Sequence, residues 1–358
     1  VDPVIAGTDG LNFVAIGAPN GRANGGTLRL GGANAYAGTT TISGPANQSR
    51  TILRAGSAQA FGPPASANLQ FIRHGGQETL IIDLNGFDQT VSGLHSPAGN
   101  DGAPGDGGGW AFGCYVGNMS TNPATLTINN TADCAFLGSL RQNPPAGSLA
   151  LTKDGPGMLT LQGGNTYINY SGRLTVKNGT LNPGVLNNIN SDGSLGNSAL
   201  SVMLGTSGTT GTLITGTGTS DKPFTLSHAG TGAFRVDNGT MTLNGIINGG
   251  GNLVKRGNGT LVLSQTCAYT GNTRVDAGIL TIAETGLADA SAVYLTTGAV
   301  LNLGFSGTDN VAGLYFDGAL QASGTWGALG SGADHESPRL TGTGMLDVSR
   351  SGLLILMR

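Results

Sequence analysis

Two carboxylates sit close together on an apolar run and the turn that follows it, in Leu80-Ile81-Ile82-Asp83-Leu84-Asn85-Gly86-Phe87-Asp88. Asp83 and Asp88 are the nearest approach in this sequence to the paired acids that glycosidic cleavage requires. A carboxylate at a strand end beside Asn-Gly is also an ordinary solvated turn residue, and that reading is the stronger one. The four histidines, His74, His95, His228 and His335, are scattered, with no second histidine at metal-ligand spacing, so no zinc site is expected. No Gly-x-Ser-x-Gly elbow is present to raise a serine nucleophile. Asn100, Asp101 and Asp106 lie in the Gly- and Ala-rich stretch SPAGNDGAPGDGGGW, residues 96–110. Hard oxygen ligands on a Gly-rich loop suit Ca²⁺, but the serial Gly-Gly-x-Gly-x-Asp repeat that would mark a calcium-binding coil is missing. A plain loop is the better expectation, and no cofactor is implied.

The chain around these residues is built for strands. From Leu149 to Leu181 the apolar residues fall in alternating bursts, Leu149/Leu151, Leu159/Leu161 and Leu174/Val176. That is a period of two, the mark of a half-buried strand. Gly-rich turns cut each burst short: Asp154-Gly155-Pro156-Gly157, Gly163-Gly164-Asn165 and Asn178-Gly179. The unit returns from Asn252 to Ile282, with Lys255 on Lys153, Gly257/Gly259 on Gly155/Gly157, Leu261/Leu263 on Leu159/Leu161 and Tyr269 on Tyr167. A clipped copy runs from Gly26 to Ile42 and carries Leu28/Leu30 and Tyr36. Strand-turn-strand units repeated in this way build a stack. Asn34 and Asn165 then fall together in a turn, which suggests stacked amides interrupted by Cys267. The tyrosines read as turn seals, with an exposed sugar-stacking ladder as the alternative.

The pattern L-x-K-x-G-x-G-x-L-x-L-x-x-x-x-x-Y, closing on G-x-L-x-[IV], resembles the autotransporter-associated β-strand repeat of bacterial surface and secreted proteins. The resemblance covers about a quarter of the chain. It implies an all-β fold, a single-stranded right-handed parallel β-helix (a β-solenoid), placed outside the cell after removal of a signal peptide. Residues 314–348 resemble the segment that closes such arrays. The expected layout is an N-terminal strand or cap at 1–21, a continuous β-helix at 22–348 and an apolar C-terminal strand at 349–358. A β-helix groove often holds polysaccharide, so a lyase or hydrolase comes into question. The clustered Asp pairs, Gly-His-Gly and Arg-x-Lys of the galacturonan-cleaving groove enzymes do not occur here, and no enzyme is expected.

Composition agrees with a stack of short strands. Sixty-four of 358 residues are glycine, 10 % are charged and 38 % are hydrophobic, with no collagen period. Almost no helix is expected beyond a turn near Ala283 to Ala290, and each coil should take about 20 to 25 residues. The net charge is −3 and the seventeen Lys and Arg are dispersed, so nucleic acid is not an expected partner. No apolar run is long enough for a membrane-spanning helix. Cys114 and Cys134 are 20 residues apart, near one coil length, which allows either a disulfide between neighbouring coils or two small core residues. Cys267 reads as a lone buried thiol.

Two functions from different classes follow. One is a structural subunit that assembles head to tail with copies of itself into a fibre. Its candidate joints are Leu11, Phe13 and Val14 near one end and Leu353, Leu354, Ile355, Leu356 and Met357 near the other, because apolar terminal strands gain by burial. The alternative is a surface adhesin or glycan-binding module with a polysaccharide partner.

Overall fold

The computed structural model describes residues 3–14, 26–44, 50–74, 78–96, 113–142, 147–161 and 168–349. All regular elements among them are β-strands, most of them paired in parallel with a strand one coil away, so the fold is a β-solenoid. The helical turn expected near Ala283 to Ala290 is absent, and that segment runs as turns and irregular chain. Internal contacts divide the chain into two units, Val1–Leu200 and Ser201–Arg358.

In the first unit four strand columns carry the stack. One joins Leu11–Val14, Thr39–Ser43, Asn68–Ile72 and Gly93–His95, and a second joins Thr27–Leu30, Arg50–Ala55, Thr79–Asp83, Gly113–Asn118 and Ser139–Gln142. A third joins Gln89–Val91, Ala124–Asn129, Leu149–Asp154 and Leu174–Val176; the fourth joins Cys134–Phe136, Met158–Leu161 and Gly179–Asn182. Register follows the period-two pattern. Leu126, Leu151 and Leu174 stack inward on successive rungs, all buried, while Thr127, Thr152 and Thr175 stack beside them on the outward side. Each inward Leu is a large apolar side chain removed from water, worth roughly 1.5–3 kcal/mol apiece. Leu11–Val14 is itself a rung of this stack, hydrogen-bonded to Thr39–Ser43.

The second unit repeats the plan with shorter coils. Its columns are Val202–Leu204, Phe224–Leu226, Ile247–Gly249 and Ala268–Tyr269; Thr210–Thr215 through Thr231–Val236, Asn252–Arg256, Thr273–Val275 and Ala292–Leu295 to Gly313–Phe316; and Gly218–Ser220, Thr240–Leu243, Thr260–Leu263, Ile279–Ile282 and Val300–Leu303. Leu263 and Leu280 face the core and Ile279 faces out, 37 % exposed. The segment over residues 314–348 breaks the parallel rule. Gly313–Phe316 turns back on Ala319–Leu320, and Gly324–Gly327 runs antiparallel to Met345–Val348. Trp326 is buried between Phe316, edge-on at 5.5 Å, and His335, stacked at 4.7 Å, and its indole N–H donates to the Ala322 carbonyl. Antiparallel strands over the last parallel rungs pair backbone groups that would otherwise lie at an open edge.

Candidate binding face

The residues singled out for acid–base chemistry are structural. Asp83 is fully buried rather than solvated: its carboxylate accepts from Arg54 Nε at 2.7 Å, from the Asn85 amide at 2.9 Å and from the Met119 amide at 3.0 Å. Asp88 is exposed, and its Oδ1 accepts the Thr125 amide at 2.6 Å. Each carboxylate fastens backbone one coil further on, so neither is placed as half of an acid–base pair. No His/Cys/Asp/Glu cluster suited to a metal is found among the described residues. Asn100, Asp101 and Asp106, and Leu353 to Met357, lie outside the described residues. Leu11 and Phe13 point inward but are only half-buried, and Val14 is 58 % exposed.

Cys114, Cys134 and Cys267 are buried free thiols, and burial pushes Cys114 and Cys267 up to about 12. The spacing of 20 does not put Cys114 over Cys134. Cys114 stacks on Leu80, 34 residues back, and Cys134 under Leu159 in a different column. The coil here is longer than the spacing argument assumes.

The repeat's lysines are core residues. Lys153 lies in the inward row between Ile128 and Val176, and Lys255 between Phe234 and Val275; both are fully buried. Each ammonium fills the corner formed by the turn after it. Lys153 Nζ donates to the carbonyls of Asp154 (2.6 Å), Gly155 (2.8 Å) and Asn178 (3.2 Å); Lys255 Nζ donates to those of Arg256 (3.0 Å), Gly257 (2.7 Å) and Ala277 (3.1 Å). An ammonium has three donors and no acceptor, which matches a corner lined by carbonyls. Gly155 (φ +75°) and Gly257 (φ +77°) make the corner. Both are left-handed, and a Cβ on either would run into the carbonyl of the preceding coil. This explains why the Lys and the first Gly of the pattern recur together.

The repeated tyrosines seal turns and are not exposed for sugar. Tyr36 and Tyr269 are buried, each with its hydroxyl 2.6 Å from a threonine four residues on, Thr40 and Thr273. The equivalent residue in the middle copy is Tyr170, not Tyr167, which lies outside the described residues. Tyr170 precedes Val176 by the same six positions as Tyr269 precedes Val275, and those two valines pair with Lys153 and Lys255 respectively. With Leu174 where the threonine would be, the Tyr170 hydroxyl donates to the Ser194 carbonyl at 2.8 Å. In this frame Ile168 and Cys267 take the place of Asn34. Asn34 is held instead by backbone: its Oδ1 accepts the Ile5 amide and its Nδ2 donates to the Ala60 carbonyl.

The described residues of the second unit present a surface that sequence reasoning missed. Ala233, Val254, Arg274, Tyr294 and Tyr315 are successive partners in register; Ala233 and Val254 are buried, Arg274 is exposed, and Tyr294 and Tyr315 are half-buried. Tyr294 and Tyr315 stack with centroids 4.6 Å apart and planes 13° apart. Beside them opens a groove of about 200 Å³ lined by Thr231, Asn252, Val254, Asn272, Arg274 and Tyr294. A signal was available: Tyr294 and Tyr315 are the middle residues of Val-Tyr-Leu and Leu-Tyr-Phe, one coil apart.

Residues 23–44, 151–182 and 253–282 match the passenger-associated transport repeat. The chain is also 34 % identical over 304 residues to the adhesin BmaC autotransporter of Brucella suis biovar 1 (strain 1330). That alignment takes in 82 % of this chain and 8 % of the relative's length. No solved structure matches the chain. Three segments of the chain thus carry the passenger-associated transport repeat, and the chain is similar to a small part of an adhesin autotransporter.

Proposed function

We propose that this chain is a segment of a surface-exposed passenger and acts in adhesion, with the solenoid as scaffold and its outward rungs as the contact surface, and that it is not an enzyme. The supporting observation is the 304-residue similarity to an adhesin autotransporter, which extends well beyond the three repeat segments. Asp83 is buried in an ion pair with Arg54 and so is not open to a substrate. The reading places the chain outside the cell or at its surface. Latex beads coated with the purified chain should attach to cultured epithelial monolayers above the level of beads coated with an unrelated β-solenoid. Equal attachment overturns the proposal.

End-to-end association of copies is a second reading, favoured by the half-buried Leu11 and Phe13 and the exposed Val14 on one rung. Light scattering should then show mass growing with concentration, and Phe13→Asp should stop the growth. A constant monomer mass in the native chain removes this reading.

A further inference from the structure

The groove of the second unit has the chemistry of a sugar subsite. One face of the Tyr294 ring is covered by Tyr315. On the other side, the next rung in register carries Arg274, whose Nε is turned to the Asp276 carboxylate, and the rung beyond it carries Val254. Rungs are about 4.8 Å apart, so the Arg274 rung separates Tyr294 from Val254, which lies 7 % exposed at the floor of the groove. The groove of about 200 Å³ offers one pyranose ring an aromatic face to lie against.

The polar groups of the groove are mainly donors. Asn252 Oδ1 accepts the Asn272 amide at 2.9 Å, and Asn272 Oδ1 accepts the Ala292 amide at 2.8 Å. Each carboxamide oxygen thus already holds a backbone amide, and the NH₂ ends offer the donors to a ligand. Arg274 adds a guanidinium that is exposed to solvent. Three guanidiniums crowd these rungs, Arg235, Arg256 and Arg274, against two carboxylates, Asp237 and Asp276, with Asp276 shared between Arg256 and Arg274. Two amide donors and an excess of cation call for a ligand rich in acceptors and negatively charged.

We propose that this groove binds a carboxylated pyranose unit of an anionic glycan, with its ring against Tyr294 and its carboxylate and neighbouring oxygens taken by Arg274, Asn272 and Asn252. The proposal rests on the adhesin reading and supplies its ligand class. The probe is a short unsulfated hyaluronan oligosaccharide titrated into the full chain by calorimetry, with the same oligosaccharide carboxyl-reduced as control. The acid should bind and the reduced form should bind about tenfold more weakly or not at all. Asn272→Asp retains an oxygen for the Ala292 amide but replaces the donor with a negative charge, so it should lower affinity about tenfold or more while the melting temperature holds. Tyr294→Ala should act in the same direction.

Equal binding of the reduced oligosaccharide overturns the carboxylate assignment, and undiminished binding by both variants overturns the location. If coated beads attach to cells and no oligosaccharide binds, the groove proposal falls and the adhesin reading stands. If the oligosaccharide binds and the beads do not attach, the groove stands and the adhesin reading falls.

Discussion

The two units obey one plan and differ in how strictly they keep it. In Ser201–Arg358 successive parallel rungs, up to the closing segment, are offset by 19 to 23 residues, as with Thr260 and Ile279 or Phe224 and Ile247. In Val1–Leu200 the offset runs from 22, between Met158 and Thr180, to 37, between Gln89 and Leu126. The buried polar residues differ accordingly. The first unit buries Asn34, Glu78, Asp83, Gln89, Asn118 and Asn130, whereas the second buries Asp309 as its one amide or carboxylate among the described residues. A turn that repeats at constant length stacks on its predecessor and pairs backbone with backbone, as the Gly259 amide does with the Val236 carbonyl. A turn of new length leaves backbone groups facing nothing, and a buried amide or carboxylate has to meet them. Regularity thus replaces side-chain hydrogen bonds, and irregular coils require them.

Asn118 is where that contrast is sharpest. Its Nδ2 donates to the carbonyls of Asn122 (2.7 Å), Gly147 (3.1 Å) and Ser148 (3.3 Å), and its Oδ1 accepts the Gly86 amide at 2.9 Å. Asn118→Leu fits the core by volume but strands several buried backbone groups, each costing about 1–3 kcal/mol. The expected loss is about 3 kcal/mol or more in a urea melt, with amide exchange accelerated first around Gly86 and Gly147. An exchange pattern altered mainly within Ser201–Arg358 would break the comparison.

The lysine corner is common to both units, so its removal should cost them alike. Lys153→Met and Lys255→Met each leave carbonyls without a donor, for an expected loss of about 2 kcal/mol measured by the same melt. Burial draws Lys153, Lys222 and Lys255 down to about 8, against roughly 10.4 in an unfolded chain. Between those values the unfolded chain binds more protons than the folded one, so this contribution makes stability rise with pH. Thermal melts from pH 8 to pH 10 should climb in the native chain and climb less in Lys255→Met. A fall across that window would mean that the carbonyls hold the ammonium more tightly than burial repels it.

Much of this plan is legible in the residues, for a physical reason. Inward positions must be apolar and turns need Gly, so Leu161, Val176 and Leu263 mark the core by alternation, whereas adjacent Ile279 and Leu280 leave the choice open and only the fold turns Leu280 inward. Asp83 reads as a solvated turn residue because nothing local reveals that Arg54, 29 residues back, lies beside it. The cysteine pairing fails for a similar cause, since coil length changes in the first unit just where Cys114 and Cys134 fall. Outward positions such as Arg274 and Tyr294 carry little packing constraint, so the groove leaves only a faint mark in the sequence.

The tyrosine seal gives the smallest expected effect and the finest test of the frame shared by the units. In Tyr36→Phe and Tyr269→Phe a threonine hydroxyl loses its 2.6 Å partner, but that hydroxyl rotates and a nearby carbonyl can take its proton. A cost of about 1 kcal/mol is expected for each. In Tyr170→Phe the bond lost is the one to the Ser194 carbonyl, which the backbone holds in place and which cannot rotate as a hydroxyl does. This loss should therefore exceed the other two by about 0.5–1 kcal/mol. Leu174→Thr combined with native Tyr170 would restore the pairing of the other copies and release Ser194, which makes Tyr170→Phe in that background no costlier than Tyr269→Phe. If Tyr170→Phe is harmless in the native background, the residue is no seal, and the frame that sets Tyr170 beside Tyr36 and Tyr269 is wrong.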